Sequence, residues 1–201
     1  MTRLFLLSAL LVAQPAREPL VEVTAFVTDA VIDLRYATQI NFVHKQMYPA
    51  GARCLVLARA AKQLVVAAQE LRSLGFRLKL YDCYRPHSVQ YELWKVMPKP
   101  GYVADPKTGS NHNRAAAIDL TLVTLEGDEV VMPSAYDAFG PASHHSYTKG
   151  DPAALRNRAI LRSAMEHAGF VKNAMEWWHY EVPNPLTYPL RDEAIGPVAD
   201  P

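Results

Sequence analysis

Three groups of side chains in this sequence are of types that do chemistry: His112 with Asp119, Glu176 with His179, and the run Asp82-Cys83-Tyr84-Arg85-Pro86. A histidine alone in a loop is more often hydrogen-bonded or solvated than a ligand, so each is weighed by its company. His112 ends a stretch rich in glycine and asparagine, and Asp119 follows on the face opposite Ile118 and Leu120. A carboxylate turned into a fold is costly unless paired or metal-bound, whereas one facing water from an antiparallel sheet is ordinary. Glu176 and His179 stand among Trp177, Trp178 and Tyr180, aromatic surface that excludes water and strengthens electrostatic interactions. A catalytic zinc needs three protein ligands, an open position, and a nearby carboxylate to take a proton from the attacking water. His112, Asp119 and His179 with a free Glu176 meet that need. For Arg85 the plainer reading is a structural ion pair with Asp82.

The elements that must carry these residues follow from periodicity. Ala61, Leu64, Ala68 and Leu71 recur at helical spacing between Leu57 and Leu74, and Gly75 supplies the stop. Arg77 to Asp82 alternates as a strand, Pro86 ends it, and a short helix through Trp94 follows. Prolines and glycines make residues 97–113 a loop, the kind of segment that carries function. Ala116 to Leu125 reads as a half-buried strand, turning at Glu126-Gly127-Asp128 into a second strand, Glu129 to Met132, to make a hairpin. Asp151-Pro152 starts a helix over 152–168 that Gly169 stops, and Phe170-Val171 and Trp177 to Glu181 read as further strands. Strands and helices mix without a steady β-α-β rhythm, so the class is α+β: one domain, a mainly antiparallel central sheet and flanking helices.

Composition narrows the functions. The chain has 201 residues, 50% hydrophobic, enough for one core and a cleft, and a net charge of +1 with no long charged run, which argues against nucleic acid as a partner. Met1-Thr2-Arg3 followed by the apolar stretch Leu4 to Ala13 has the pattern of a secretory signal peptide, ending at Ala13 or Ala16 and too short to span a bilayer. The expected organisation is a signal peptide over 1–16 and one domain over 17–201, exported to the periplasm, without stable membrane insertion once the signal is removed. An uncleaved segment and a cytoplasmic protein are the alternative. Cys54 and Cys83 are candidates for a disulfide in such a compartment and too few for a zinc ribbon.

Ser110-Asn111-His112-Asn113-Arg114-Ala115-Ala116-Ala117-Ile118-Asp119 resembles the S-x-H-x-x-G-x-A-x-D motif of the LAS group of metallopeptidases, and Glu176-Trp177-Trp178-His179 resembles its E-x-x-H. With Tyr84-Arg85-Pro86, Ser143-His144-His145 and Ile118 to Leu122, the order of motifs over about residues 30 to 185 is similar to that of the zinc D-alanyl-D-alanine dipeptidases of vancomycin resistance. The resemblance implies a LAS-like fold and one zinc ion per chain on His112, Asp119 and His179. It implies that Glu176 activates water and then protonates the leaving amine, while Arg85 binds the carbonyl oxygen as it becomes an oxyanion. Asp137 would hold the ammonium of a small dipeptide substrate, Tyr36 and Ser110 would line the pocket, and His144 and His145 would buttress the site through hydrogen bonds. The motif's glycine is Ala115 here, a strain on the loop if the position needs positive φ.

Two other functions are open to the same residues. A carboxypeptidase acting on longer muropeptides would keep the zinc site but conflict with Asp137, whose charge is left unpaired without a free ammonium. A zinc-stabilised binding module without turnover would have little use for Glu176.

Overall fold

The computed structural model describes residues 17–197, so the signal peptide expected over 1–16 lies outside the described residues. In chain order the strands and α-helices are β1 (Leu20–Glu22), β2 (Val31–Ile32), β3 (Leu55–Leu57), α1 (Ala58–Ser73), β4 (Phe76–Asp82), α2 (His87–Val96), β5 (Ala117–Thr124), α3 (Pro152–His167), β6 (Val171–Lys172) and β7 (His179–Glu181). Five of the strands form a sheet in the order β2-β4-β5-β7-β6. It is antiparallel except where β2 runs parallel to β4. β1 and β3 form a separate antiparallel pair. This is the α+β architecture read from the sequence.

The helices form where the pattern places them. α1 buries Ala60, Ala61, Leu64, Ala67, Ala68 and Leu71, a stripe at helical spacing, and Gly75 ends the segment at φ +87°. Asp151 caps α3, its side chain accepting from the backbone N–H of Ala153 at 2.6 Å, with Pro152 at the first helical position. α1 packs against α3 and β4. Leu78 and Leu80 of β4, Ile118, Leu120 and Leu122 of β5, and Tyr180 of β7 join the helices' apolar faces in one core. The sheet's other face is left for the site.

Four expectations need correcting. The second hairpin strand over Glu129 to Met132 does not form; a single bridge joins Val123 and Glu129. Pro133, which has no N–H to donate, follows directly, and Glu129 is held by its side chain on Lys79. β5 is not half-buried but buried on both faces, because loops cover the side that carries Asp119. The last strand begins at His179, since Trp177 is tied to Ser143 by a 2.8 Å backbone bond that holds it in the preceding turn. Leu57 closes β3 and is not the start of the helix.

Candidate active site

Register sets the site. Asp119 on β5 lies opposite His179 on β7, and Ala117 lies opposite Glu181, so all four share a face, while Ile118 and Tyr180 face the core. On the other side of β5, a register shift between Leu80 and Asp82 places Asp82 opposite Asp119. Without that bulge Asp82 would share Leu80's core-facing side; with it, the carboxylate turns toward the site. His112 comes from the loop before β5, on a short 3-10 turn over His112–Arg114.

The result is a compact donor triangle. Asp119 Oδ1 lies 3.0 Å from His179 Nδ1 and 3.3 Å from His112 Nε2, and the two imidazole nitrogens are 3.2 Å apart. Ligands placed about 2.0–2.1 Å from a tetrahedral zinc sit roughly 3.3–3.4 Å from one another, so the donor set and its spacing fit a divalent metal. All three residues are buried. His112 Nδ1 lies 2.8 Å from the carbonyl of Cys83, which can only accept; Nδ1 therefore carries the proton and Nε2 presents a lone pair to the triangle. Asp119 also accepts from the Tyr136 hydroxyl at 2.9 Å. Burial alone would raise Asp119, but His112 and His179 hold its carboxyl well below the usual range. Burial likewise opposes charge on His179, yet its contacts with Asp119 and Glu181 push it up to about 10.

Glu176 stands beside the triangle, its Oε2 3.8 Å from His179 Nδ1 and accepting from Asn173 at 3.0 Å. Burial pushes its carboxyl up to about 7, partly opposed by His179. Trp177 and Trp178, each 1% exposed, meet edge to face at 5.4 Å and shield this corner; Trp177 donates to Ser134 Oγ at 2.9 Å.

The remaining expected residues gather around one cleft of about 450 Å³, whose walls include Tyr36, Arg85, Ser110, His112, Asp119, Asp137, Glu176 and His179. Arg85 makes the ion pair with Asp82, through Nε at 3.1 Å and Nη2 at 2.6 Å, and its Nη1 donates to Gln90 at 2.8 Å. The guanidinium also lies 5.0 Å from the centre of the Tyr36 ring. Tyr36 in turn donates to Asp137 Oδ2 at 3.0 Å. Burial, then the nearby charge of Asp119, pushes the Asp137 carboxyl well up, and its backbone sits at φ +56°. Ser110 Oγ accepts from the N–H of His112 at 3.2 Å, bracing the ligand loop from within. Cys54 and Cys83 are joined as a disulfide, with Cα atoms 5.2 Å apart and a sequence separation of 29.

One question the sequence left open is answered, and one expectation fails. Ala115 does adopt positive φ, +55°, and is fully buried. The rings of His144 and His145 do not brace the site through hydrogen bonds: both nitrogens of His145 and Nε2 of His144 are buried without a partner among the described residues. The bracing comes from the backbone, where the N–H of His145 donates to Ala174 O at 3.0 Å and Arg158 donates to the carbonyl of His144 at 2.9 Å.

Sequence reasoning missed Tyr136, Tyr48, Asn173 and Glu181. Tyr48 donates to Asp82 at 2.6 Å from a loop with no pattern of its own. Glu181 had a signal, since it lies two residues beyond His179 on the same strand and so shares its face.

A buried aspartate between two imidazoles, with a glutamate beside them on an α+β scaffold, is a group that could hold a metal ion, the kind of site used by hydrolases of the metallopeptidase class. Comparison with known proteins sharpens the class. The sequence profile of the D-Ala-D-Ala dipeptidases matches residues 16–195. The D-alanyl-D-alanine dipeptidase of Escherichia coli is 39% identical over 171 residues, 85% of this chain and 88% of that one. Those of Streptomyces coelicolor and Enterococcus faecalis are 35% and 34% identical, each alignment covering 78% of this chain and 89% of the relative. The chain therefore belongs to the D-Ala-D-Ala dipeptidase family and is a hydrolytic enzyme of the peptidase class.

Proposed function

We propose that this chain hydrolyses the D-alanyl-D-alanine dipeptide, with one zinc ion held by His112, Asp119 and His179. The observation that carries the reading is the triangle of donor atoms, with edges of 3.0–3.3 Å, at the floor of a cleft that also holds Glu176 and Asp137. When bound there, the metal supplies Lewis-acid polarisation of the peptide carbonyl and acidifies a water. The chain's own groups do the rest. Glu176, pushed up to about 7, is poised near neutrality to accept the water's proton on its carboxylate and return it to the departing amine. Arg85, held rigid by Asp82 and Gln90, offers fixed positive charge to the carbonyl oxygen as negative charge grows on it.

Asp137 sets the length of the substrate. Its carboxyl is pushed up by burial and by Asp119, and an arriving ammonium is the counter-ion that restores its charge. Tyr36 holds that carboxylate in place, and Ser110 keeps the ligand loop in shape. A substrate extended at its amino end would leave Asp137 without a partner, which favours a dipeptide over a longer muropeptide. The Cys54–Cys83 disulfide supports the exported, periplasmic setting read from the first residues. Among the described residues no helix is long and apolar enough to cross a membrane.

The test is hydrolysis of D-Ala-D-Ala, L-Ala-L-Ala and N-acetyl-D-Ala-D-Ala by zinc-loaded protein, beside a chelated sample and Glu176→Ala. The expected result is cleavage of the free D,D-dipeptide alone, abolished by chelation and lowered about 10²–10⁴-fold without Glu176. Cleavage of the acetylated compound at a comparable rate would remove Asp137 from the role given to it. No cleavage by protein that binds zinc would overturn the reading.

A further inference from the structure

Both imidazoles of the triangle have a second nitrogen, and what each meets decides which lone pair faces the metal position. For His112 the partner is the Cys83 carbonyl. For His179, whose Nδ1 faces Asp119, the outward Nε2 lies 3.5 Å from Glu181 Oε2. Glu181 is in turn gripped by the side-chain amide of Asn111, the residue before His112. Ala117, directly across the ladder from Glu181, has only a methyl group, so the carboxylate can lean toward both partners.

The geometry points to Glu181 as a positioning residue: its carboxylate accepts a hydrogen bond from the Nε2–H of His179, fixes the tautomer that turns the Nδ1 lone pair to the metal, and ties β7 to the His112 loop through Asn111. This rests on the metal site proposed above. The imidazole's hydrogen-bonded carboxylate raises its basicity toward a metal, and removal of such a partner weakens metal binding about 10–100-fold. Because Glu181 touches no donor atom of the triangle other than through His179, its loss acts on affinity and not on ligand number.

The experiment is zinc affinity by competition with a chromogenic chelator at pH 7.5, for the unsubstituted chain, Glu181→Gln and Glu181→Ala, with thermal melts of the metal-free proteins as the fold control. Glu181→Ala is expected to bind about 10–100-fold more weakly, with the metal-free protein still melting in one cooperative transition as a folded domain. Glu181→Gln, which keeps an acceptor oxygen but not the charge, is expected to fall between the two. If Glu181→Ala fails to fold, Glu181→Gln decides alone. Affinity within twofold of the unsubstituted chain in the folded variants would overturn the assignment. Absence of zinc binding by the unsubstituted chain would instead overturn the metal site itself, and this inference with it.

Discussion

The disulfide between Cys54 and Cys83 closes a loop of 29 residues, and its removal through Cys54→Ala with Cys83→Ala gives a prediction of definite size. If the cross-link acts by limiting the unfolded chain, loop-closure entropy for that length contributes about 3.5 kcal/mol at 25 °C. Both cysteines are 1% exposed, so two alanines leave small gaps whose effect adds to that figure. The measurement is urea unfolding followed by the fluorescence of buried Trp177 and Trp178, with and without a thiol reductant. The oxidised chain should be the more stable by about 3–5 kcal/mol, a difference of roughly 10 °C in melting temperature for a domain of this size, and reductant should leave the variant unchanged. The folded site is a separate matter. The segment after β4 stays tied to β3 by the 2.8 Å bond from the Tyr84 N–H to the Leu55 carbonyl, so the Cys83 carbonyl should still orient His112. Zinc affinity should accordingly stay within a few-fold while stability falls. Variant stability within about 1 kcal/mol of the oxidised chain, or affinity falling in parallel with stability, would refute the argument.

At Ala115, Ala115→Gly relieves about 1–2 kcal/mol of left-handed strain but gives back about 0.5–1 in unfolded-chain entropy and about 0.8 for a buried methyl, so urea unfolding should place it within about 1 kcal/mol of the parent. Ala115→Val, a β-branched side chain at φ +55° in a fully buried position, should lose about 3 kcal/mol or more, and a tolerated valine would show that the turn is not strained. Burial and the cations Arg158, Arg162 and Lys172 push His145 down to about 4 from 6.5, so the unfolded chain binds more protons between those values and stability must fall as pH drops through that window. By pH 5.5 the loss should reach about 1 kcal/mol; His145→Leu should show that much less change between pH 7.5 and 5.5, and an equal change in both proteins would discard the idea.

What was legible in the sequence was whatever repeats or punctuates. The stripe of α1, the Asp151-Pro152 start of α3 and the alternation along β4 and β5 each arise from local physics, and each element forms close to its expected bounds. β1, β2 and β3 have two or three residues each, too few for a period to show, and exist only because a neighbour pairs with them. The hairpin partner over Glu129 to Met132 fails for the opposite reason: its pattern is adequate, but a single bridge and a following proline give it nothing to pair with. In the site, residues that announce themselves by chemistry, His112, Asp119, Glu176 and His179, lie together in one cleft wall. Tyr136 and Tyr48 are ordinary loop tyrosines until the fold brings their hydroxyls to Asp119 and Asp82.

Charge explains why these particular partners recur. The bulge in β4 places Asp82 opposite Asp119, and like charges facing each other across a ladder are unfavourable. Arg85 and the Tyr48 hydroxyl occupy Asp82, which leaves Asp119 for the imidazoles. Asp137, Glu176 and Glu181 line the same cleft. With Arg85 already bound to Asp82, the cleft has more carboxylates than fixed cations to answer them. Burial is the main cause of the upward displacement of Asp137 and Glu176, and the repulsion adds to it, Asp119 contributing in both cases. On the function proposed above, a divalent cation between His112, Asp119 and His179 would relieve the excess at one end of the cleft, and a substrate ammonium at Asp137 would relieve it at the other. On that function, the same imbalance would favour a small ligand whose positive end reaches Asp137 while its peptide bond lies over the triangle.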